Sequence, residues 1–102
     1  MALDFTKIKD EPGSAIIMLH DGTTRGQREF ERLAAQIQKR TKKQLVLLSV
    51  KDSVGHSIVS FYGLRGTKFV LIVRDDDQLH HHWTDGNIFD PSEIAYSAEQ
   101  AG

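Results

Sequence analysis

The sequence predicts an α/β fold with a mixed sheet of about four strands. Three short apolar runs rich in β-branched residues have the pattern of buried strands: Ala15–Leu19, Leu45–Val50 and Phe69–Val73. Between the first two runs, apolar residues recur at the spacing of an amphipathic helix. The expected order is βαβ, a second helix, an antiparallel β-hairpin and a terminal helix, in a single domain over residues 1–102.

The longest helix is expected directly after the first strand. Its apolar stripe consists of Phe30, Leu33, Ala34 and Ile37. Thr24 followed three residues later by Gln27 has the pattern of a capping box, which predicts that the helix begins there. The helix should end in the basic stretch Lys39–Lys43, because positive charge is favourable at a helix C-terminus.

The remaining elements are shorter. Residues 1–14 are mixed in character and predict a short edge strand or an extended lead-in. Ser53–Tyr62 predicts a short helix ended by Gly63, and Gln78–Trp83 predicts an edge strand paired with the third apolar run. Asp90 precedes Pro-Ser-Glu, the pattern of a helix N-terminus, so a terminal helix should follow it.

Composition excludes several classes of function. The formal net charge of −1 provides no basic field for nucleic acid, and no apolar run approaches the roughly 20 residues of a membrane span. The N-terminus lacks the apolar core of a signal peptide, so we expect a cytoplasmic protein. The chain contains no cysteine, which excludes disulfides, thiolate catalysis and cysteine-ligated metal. No cofactor is expected, and the chain should be a monomer or a weak homodimer.

Two stretches resemble the thioredoxin family. Ile17–Gln27 can be laid without a gap on that family's strand and its Trp-Cys-Gly-Pro-Cys turn. Phe61–Phe69 is similar to the family's Lys-Tyr-Gly-Ile-Arg-Gly-Ile-Pro-Thr stretch before the hairpin. In this alignment residues 24–27 stand where the redox Cys-Gly-Pro-Cys would be, and Lys68 stands in place of the cis-proline. The resemblance implies a thioredoxin-like fold without the family's two hallmarks.

These replacements have chemical consequences. Disulfide exchange requires an attacking thiolate, and a threonine hydroxyl neither ionises near neutral pH nor forms an equivalent bond. The chain is therefore not expected to be a thiol-disulfide oxidoreductase, and enzymatic activity of another kind is not indicated. A cis peptide bond before a residue other than proline costs about 3 kcal/mol, so the Thr67–Lys68 bond should be trans.

The resemblance implies a binding surface where the turn after the first strand meets the loop before the third. Its residues would be Asp21, Gly22, Thr23, Thr24, Arg25, Thr67 and Lys68. The first hypothesis is a protein or peptide partner at this surface. The alternative is a small anionic ligand, or a non-redox enzyme, at the same helix N-terminus. A third possibility is an assembly role through an apolar patch at Trp83, Phe89 and Tyr96.

Histidines form the other conspicuous feature. On a strand, His80 and His82 would share a face and could offer two ligands to a transition metal. Two ligands make a weak site, and a solvated edge that deters strand pairing explains the same residues, so no metal site is predicted. His20, at the end of the first strand, is expected to be a hydrogen-bonded structural histidine rather than a general base.

The absence of thiols leads to a direct prediction about activity. Because no cysteine is present, the rate of insulin or small-disulfide reduction by the purified chain should equal that of buffer. A thioredoxin assayed in parallel serves as the positive control. Reductase activity that copurifies with the chain through a second chromatography step would contradict the prediction.

Overall fold

Four strands form one mixed sheet in the computed structural model, which describes residues 3–102. The strands are β1 (Ala15–His20), β2 (Gln44–Ser49), β3 (Phe69–Val73) and β4 (Leu79–Thr84). They lie in the order β2-β1-β3-β4; β2 is parallel to β1, whereas β3 is antiparallel to both β1 and β4. The helices are α1 (Thr24–Gln38), α2 (Ser53–Tyr62) and α3 (Pro91–Gln100). The predicted α/β class and mixed four-stranded sheet are confirmed.

The core lies on both faces of the sheet. Because successive side chains of a strand point to opposite faces, β1 and β3 each contribute side chains to two separate hydrophobic clusters, one on each face of the sheet. The face covered by α1 and α3 receives Ile16, Met18, Val70 and Ile72. The face covered by α2 and the N-terminal segment receives Ile17, Leu19, Leu71 and Val73. Both inner strands are buried at every residue, as their apolar runs predict.

The second apolar run differs from its prediction. Leu45–Val50 was expected to be a strand buried on both faces, but β2 is half-buried at every residue. The reason is its place in the sheet, where β1 is its only neighbour among the strands of the described residues. The parallel βαβ arrangement of β1, α1 and β2 itself is confirmed.

The start of α1 lies one residue earlier than the capping-box pattern indicates. Thr23, not Thr24, is the N-cap, and its side-chain oxygen accepts a hydrogen bond from the Gly26 N–H at 2.9 Å. The predicted pairing of Thr24 with Gln27 is therefore wrong. The Asp21 carboxylate accepts hydrogen bonds from both the N–H and the hydroxyl of Thr23, which hold this residue in the extended conformation that an N-cap requires.

The N-terminal segment is also different from the expected edge strand or extended lead-in over residues 1–14. It forms a 3₁₀ turn at Phe5–Lys7, capped by the carboxylate of Asp4. This turn buries Phe5 and Ile8 against the α2 face of the sheet. Phe5 and Ile8 thus cover that face of the sheet, and the segment does not add a strand. Residues 1 and 2 of the predicted segment lie outside the described residues.

The later elements agree with the sequence patterns. α2 spans Ser53–Tyr62 as predicted and ends at Gly63, which adopts the left-handed conformation. β4 begins and ends one residue later than expected. Asp90 caps α3 by accepting a hydrogen bond from the Ser92 N–H. No helix of the described residues is long and apolar enough to cross a membrane.

Gly55 is required where α2 passes over the end of β2. It is buried, and a Cβ atom built at this position would collide with the backbone carbonyl oxygen of Ser49. Because that obstacle is backbone, it cannot move aside as a flexible side chain could. The close approach of α2 to β2 therefore depends on the missing side chain.

Gly55→Ala should lower the free energy of unfolding by about 1 to 2 kcal/mol. Overpacking costs about 1 to 3 kcal/mol, which exceeds the gain of up to about 1 kcal/mol that alanine brings to a helix. Urea unfolding followed by circular dichroism measures the change. Ser60→Ala, at an exposed position of the same helix, is the control and should change stability by less than about 0.5 kcal/mol. A stabilised Gly55→Ala variant would show that α2 does not sit this close to β2.

Candidate functional site

The start of α1 and the loop before β3 lie side by side. Glu29 joins them, because its carboxylate oxygens lie 3.3 Å from the Arg25 Nε and 4.0 Å from the Lys68 Nζ. The Arg25 side chain is 91% exposed, and that of Lys68 is 31% exposed. Lys68 and Arg25, which come from different predicted segments, are thus brought together through a residue that the sequence analysis did not single out.

The turn that leads into α1 is held by side-chain hydrogen bonds. Asp21 accepts from the Thr23 hydroxyl at 2.6 Å and from the Thr23 N–H at 3.0 Å. The hydroxyl contact is the main cause that lowers the pKa of Asp21, with the amide contact second and the charge of Lys68 acting in the same direction. The buried His20 accepts a hydrogen bond from the Gly22 N–H through Nδ1, at 3.0 Å. This hydrogen bond is the structural role expected for that histidine.

Two amides in the first turn of α1, those of Gly26 and Gln27, have partners within the chain. The Gly26 N–H donates to the Thr23 side chain, and the Gln27 N–H donates to the Thr23 carbonyl oxygen, both at 2.9 Å. Asp21 adds a carboxylate close to the helix start, where the macrodipole favours negative charge. A Cβ atom at Gly26 would collide with the Asp21 carboxylate, which shows how tightly the two are packed. The Asp21 carboxylate therefore lies beside the place that an anionic ligand would take, where its charge opposes such a ligand.

Asp85 holds the loop on the other side of the site. Its carboxylate accepts from the Thr67 hydroxyl at 2.5 Å, the Thr67 N–H at 2.9 Å and the Lys68 N–H at 3.0 Å. The contact with the Thr67 hydroxyl is the main cause that lowers the pKa of Asp85 well below its usual range. The Thr67–Lys68 peptide bond is trans, as predicted.

Sequence reasoning missed Asp85, because its position follows from the register between β3 and β4. The residue follows β4, and the antiparallel pairing of β3 with β4 places Phe69 opposite Thr84. Any residue directly after β4 must therefore lie beside the residues directly before β3. An aspartate at that point has a carboxylate that can accept hydrogen bonds from the N–H groups of Thr67 and Lys68.

The histidines of β4 are exposed, but the strand is irregular where they begin. Ile72 pairs with His81, whereas Val73 pairs with Leu79, so His80 is an extra residue in a β-bulge. The bulge interrupts the alternation on which the two-histidine hypothesis depends. In the part of the chain that the structure describes, no group of three or more histidine, aspartate or glutamate side chains could hold a metal ion.

The apolar patch proposed for assembly is not formed. Trp83 is buried, with 5% exposure, and its ring contacts that of His81 at a centroid distance of 4.4 Å. Phe89 is half-buried and packs edge-to-face on Phe30. Only Tyr96 of the three residues is exposed, because the buried face of α3 packs in the same core cluster as Trp83 and Phe89.

Comparison with solved structures supports the architecture. The chain is similar to Chlamydomonas reinhardtii thioredoxin f2, with a TM-score of 0.58 and 10% sequence identity, over 78% of this chain and 74% of that one. The chain has a thioredoxin-like fold. The predicted thioredoxin-like architecture is thereby confirmed, and at this identity the likeness concerns the fold alone. No protein-family model and no curated protein matches the sequence.

In this thioredoxin-like fold, positions 24 and 27 lie in the first turn of α1. Residues three apart in a helix have Cα atoms about 5 Å apart, which is within the reach of a disulfide. The double variant Thr24→Cys, Gln27→Cys should therefore form an intramolecular disulfide under mild oxidant and remain folded, as measured by thiol titration and circular dichroism. A folded double variant that keeps both thiols would contradict the alignment.

The control for this prediction is Thr24→Cys combined with Glu31→Cys. These positions are seven residues apart in the same helix, about 10.5 Å along its axis, which no disulfide can span. Both thiols of the control should remain titratable under the same oxidant.

Asp85 should make stability depend on pH in a defined direction. Since its pKa is lowered in the folded state, its contribution is present above the unfolded pKa of about 3.9 and is lost as the pH falls below that value. Asp85→Ala should lower the free energy of unfolding by about 1 kcal/mol at pH 7, and the difference from wild type should shrink at pH 2.5. Urea unfolding at both pH values measures this.

Asp75→Ala provides the matched control, because Asp75 is an exposed aspartate of the hairpin turn. It should change stability by less than about 0.5 kcal/mol at either pH. A difference between Asp85→Ala and wild type that is the same at both pH values would show that the carboxylate charge does not hold the loop.

Proposed function

We propose that the protein is a redox-inactive thioredoxin-like domain that binds a protein partner through the α1–loop surface. This surface comprises Asp21, Gly22, Thr23, Thr24, Arg25, Thr67 and Lys68. The observation that carries the proposal is the juxtaposition of charged side chains from two segments, the exposed Arg25 and the half-buried Lys68, joined through Glu29. The thioredoxin-like scaffold supports it by placing a helix start beside a loop, each held by an aspartate, while the lack of cysteine removes thiol redox chemistry.

Two backbone N–H groups of the loop before β3 already have hydrogen-bond partners, which favours recognition of a partner through the side chains of this surface. The amides of Thr67 and Lys68 donate to Asp85, so an extended peptide could use these two donors only by displacing that carboxylate. Replacing a charge-assisted hydrogen bond by a neutral one is unfavourable. The partner should therefore contact side chains, above all the 91% exposed Arg25, which suits an acidic segment on the partner's surface.

A small anionic ligand is the second candidate, but the same surface offers an anion few hydrogen-bond donors and little positive charge. The Gly26 and Gln27 N–H groups donate to Thr23, and the Asp21 carboxylate would repel an anion at short range. Arg25 remains available, but one exposed guanidinium holds an anion weakly. These contacts favour a macromolecular partner, which can spread its contacts over several side chains.

A charge-reversal experiment tests the location. The tagged chain and its variants are used to capture bound proteins, which are then quantified by mass spectrometry. Arg25→Glu combined with Lys68→Glu should reduce recovery of the specific partner at least tenfold, a change of about 1.4 kcal/mol in binding free energy. Lys39→Glu combined with Arg74→Glu changes the net charge equally at positions away from the α1–loop surface and should leave recovery unchanged. Equal recovery with both double variants would refute the location.

A thermal-shift screen separates the two candidates. Phosphate, small carboxylates and glutathione are added to the wild-type chain, since a ligand at 100 times its Kd contributes about 2.7 kcal/mol and raises the Tm by about 10 to 20 °C. No shift is expected. A shift that is abolished by Arg25→Glu would favour the anionic ligand over the protein partner.

A further inference from the structure

β2 presents an unprotected edge. It spans Gln44–Ser49, contains no charged residue and no proline, and pairs in an unbroken parallel register with β1. Within residues 3–102 no strand lies on its other side. Exposed edge strands normally carry a charge, a proline or a bulge that prevents pairing with another chain. β2 has none of these devices.

The opposite edge of the same sheet is protected. β4 contains a bulge at His80, and its three consecutive histidines are exposed. Bulges and polar side chains are the usual means of preventing edge pairing. The contrast between the two edges indicates that the outer side of β2 is suited to pairing.

The backbone direction of β2 can be deduced from one hydrogen bond. The Val50 N–H donates to the His20 carbonyl oxygen at 2.9 Å, so Val50 points its backbone groups toward β1. Because backbone groups alternate along a strand, Val46 and Leu48 also point toward β1. The N–H and C=O groups of Leu45 and Leu47 consequently point away from the sheet, and their natural partner is another extended strand.

We propose that this partner is the β2 strand of a second copy of the chain, paired antiparallel around a two-fold axis that passes beside Val46. In this register Val46 faces Val46 of the second copy, and Leu45 faces Leu47 of the second copy. Leu45 and Leu47 lie on the same face of the sheet, so the apolar side chains of each face continue across the junction. The two four-stranded sheets then form one sheet with a symmetric interface.

Charge at the ends of β2 selects this register. Lysines flank the strand at positions 42, 43 and 51. With the axis beside Val46, Lys43 faces Ser49 of the second copy. An axis beside Leu47 would instead place Lys43 opposite Lys51, and like charges directly opposite each other are destabilising. The pairing centred on Val46 therefore joins the apolar residues and keeps the lysines apart.

A cysteine cross-link tests the interface and the register together. In the proposed dimer, position 46 faces itself in a pair without direct hydrogen bonds, where Cα atoms are about 4.5 Å apart. That distance permits a disulfide, and the chain has no other cysteine. Val46→Cys should convert almost completely to a disulfide-linked dimer under mild oxidant on a non-reducing gel. A folded Val46→Cys chain that remains monomeric would overturn the proposal.

Leu48→Cys is the matched control, because it lies two residues along the same strand. In the proposed register, position 48 faces Gln44, so two such cysteines would be about 13 Å apart and could not be joined. This variant should remain reduced and monomeric. Equal cross-linking of both variants would show that random collisions, not the proposed pairing, join the chains.

A charge-swap experiment gives a readout without covalent chemistry. Sedimentation of the wild-type chain should give twice the 11.5 kDa mass of one chain, whereas Val46→Lys and Val46→Glu should each sediment as monomers. An equal mixture of the two variants should regain the dimer mass, because opposite charges then face each other. His81→Lys, on the other edge, should remain dimeric. A wild-type chain that is still monomeric at about 1 mM, or a mixture that stays monomeric, would overturn the proposal.

Discussion

The burial of β1 and β3 on both faces is the constraint on which the structure depends. Every residue of these two strands is buried, and their side chains alternate between two separate cores. Each core needs its own cover, because an apolar face left in water would forfeit the main driving force for folding. α1 and α3 cover one face, while α2 and the N-terminal 3₁₀ turn cover the other. The short N-terminal segment thus contributes, together with α2, to covering the second core.

Two aspartates organise the candidate site. Asp21 fixes the N-cap of α1 by accepting hydrogen bonds from the hydroxyl and the N–H of Thr23. Asp85 fixes the loop before β3 by accepting from the Thr67 hydroxyl and from the N–H groups of Thr67 and Lys68. A carboxylate that accepts several hydrogen bonds is stabilised in its charged form, which explains the lowered pKa of both groups. The amides of Thr23, Thr67 and Lys68 therefore donate to carboxylates within the chain, and the proposed recognition would rely on exposed side chains such as Arg25.

The two edge strands of the sheet, β2 and β4, differ in their suitability for pairing with another chain. β4 is bulged and polar, so it favours a solvated edge. β2 is regular and apolar, and it lies one strand away from the α1–loop surface at the end of β1. Pairing through β2 would therefore leave the α1–loop surface open to a partner in each copy.

The sequence by itself determined the type and order of the elements from β1 to α3 and the absence of thiol chemistry. These properties are local: the period of apolar residues sets a helix or a strand, as in α2, and the lack of cysteine needs no structure. The tertiary structure alone decided that β2 is an edge strand, that β4 is bulged and that Asp85 holds Thr67. These properties depend on strand order and on contacts between residues 18 positions apart, which no local pattern encodes.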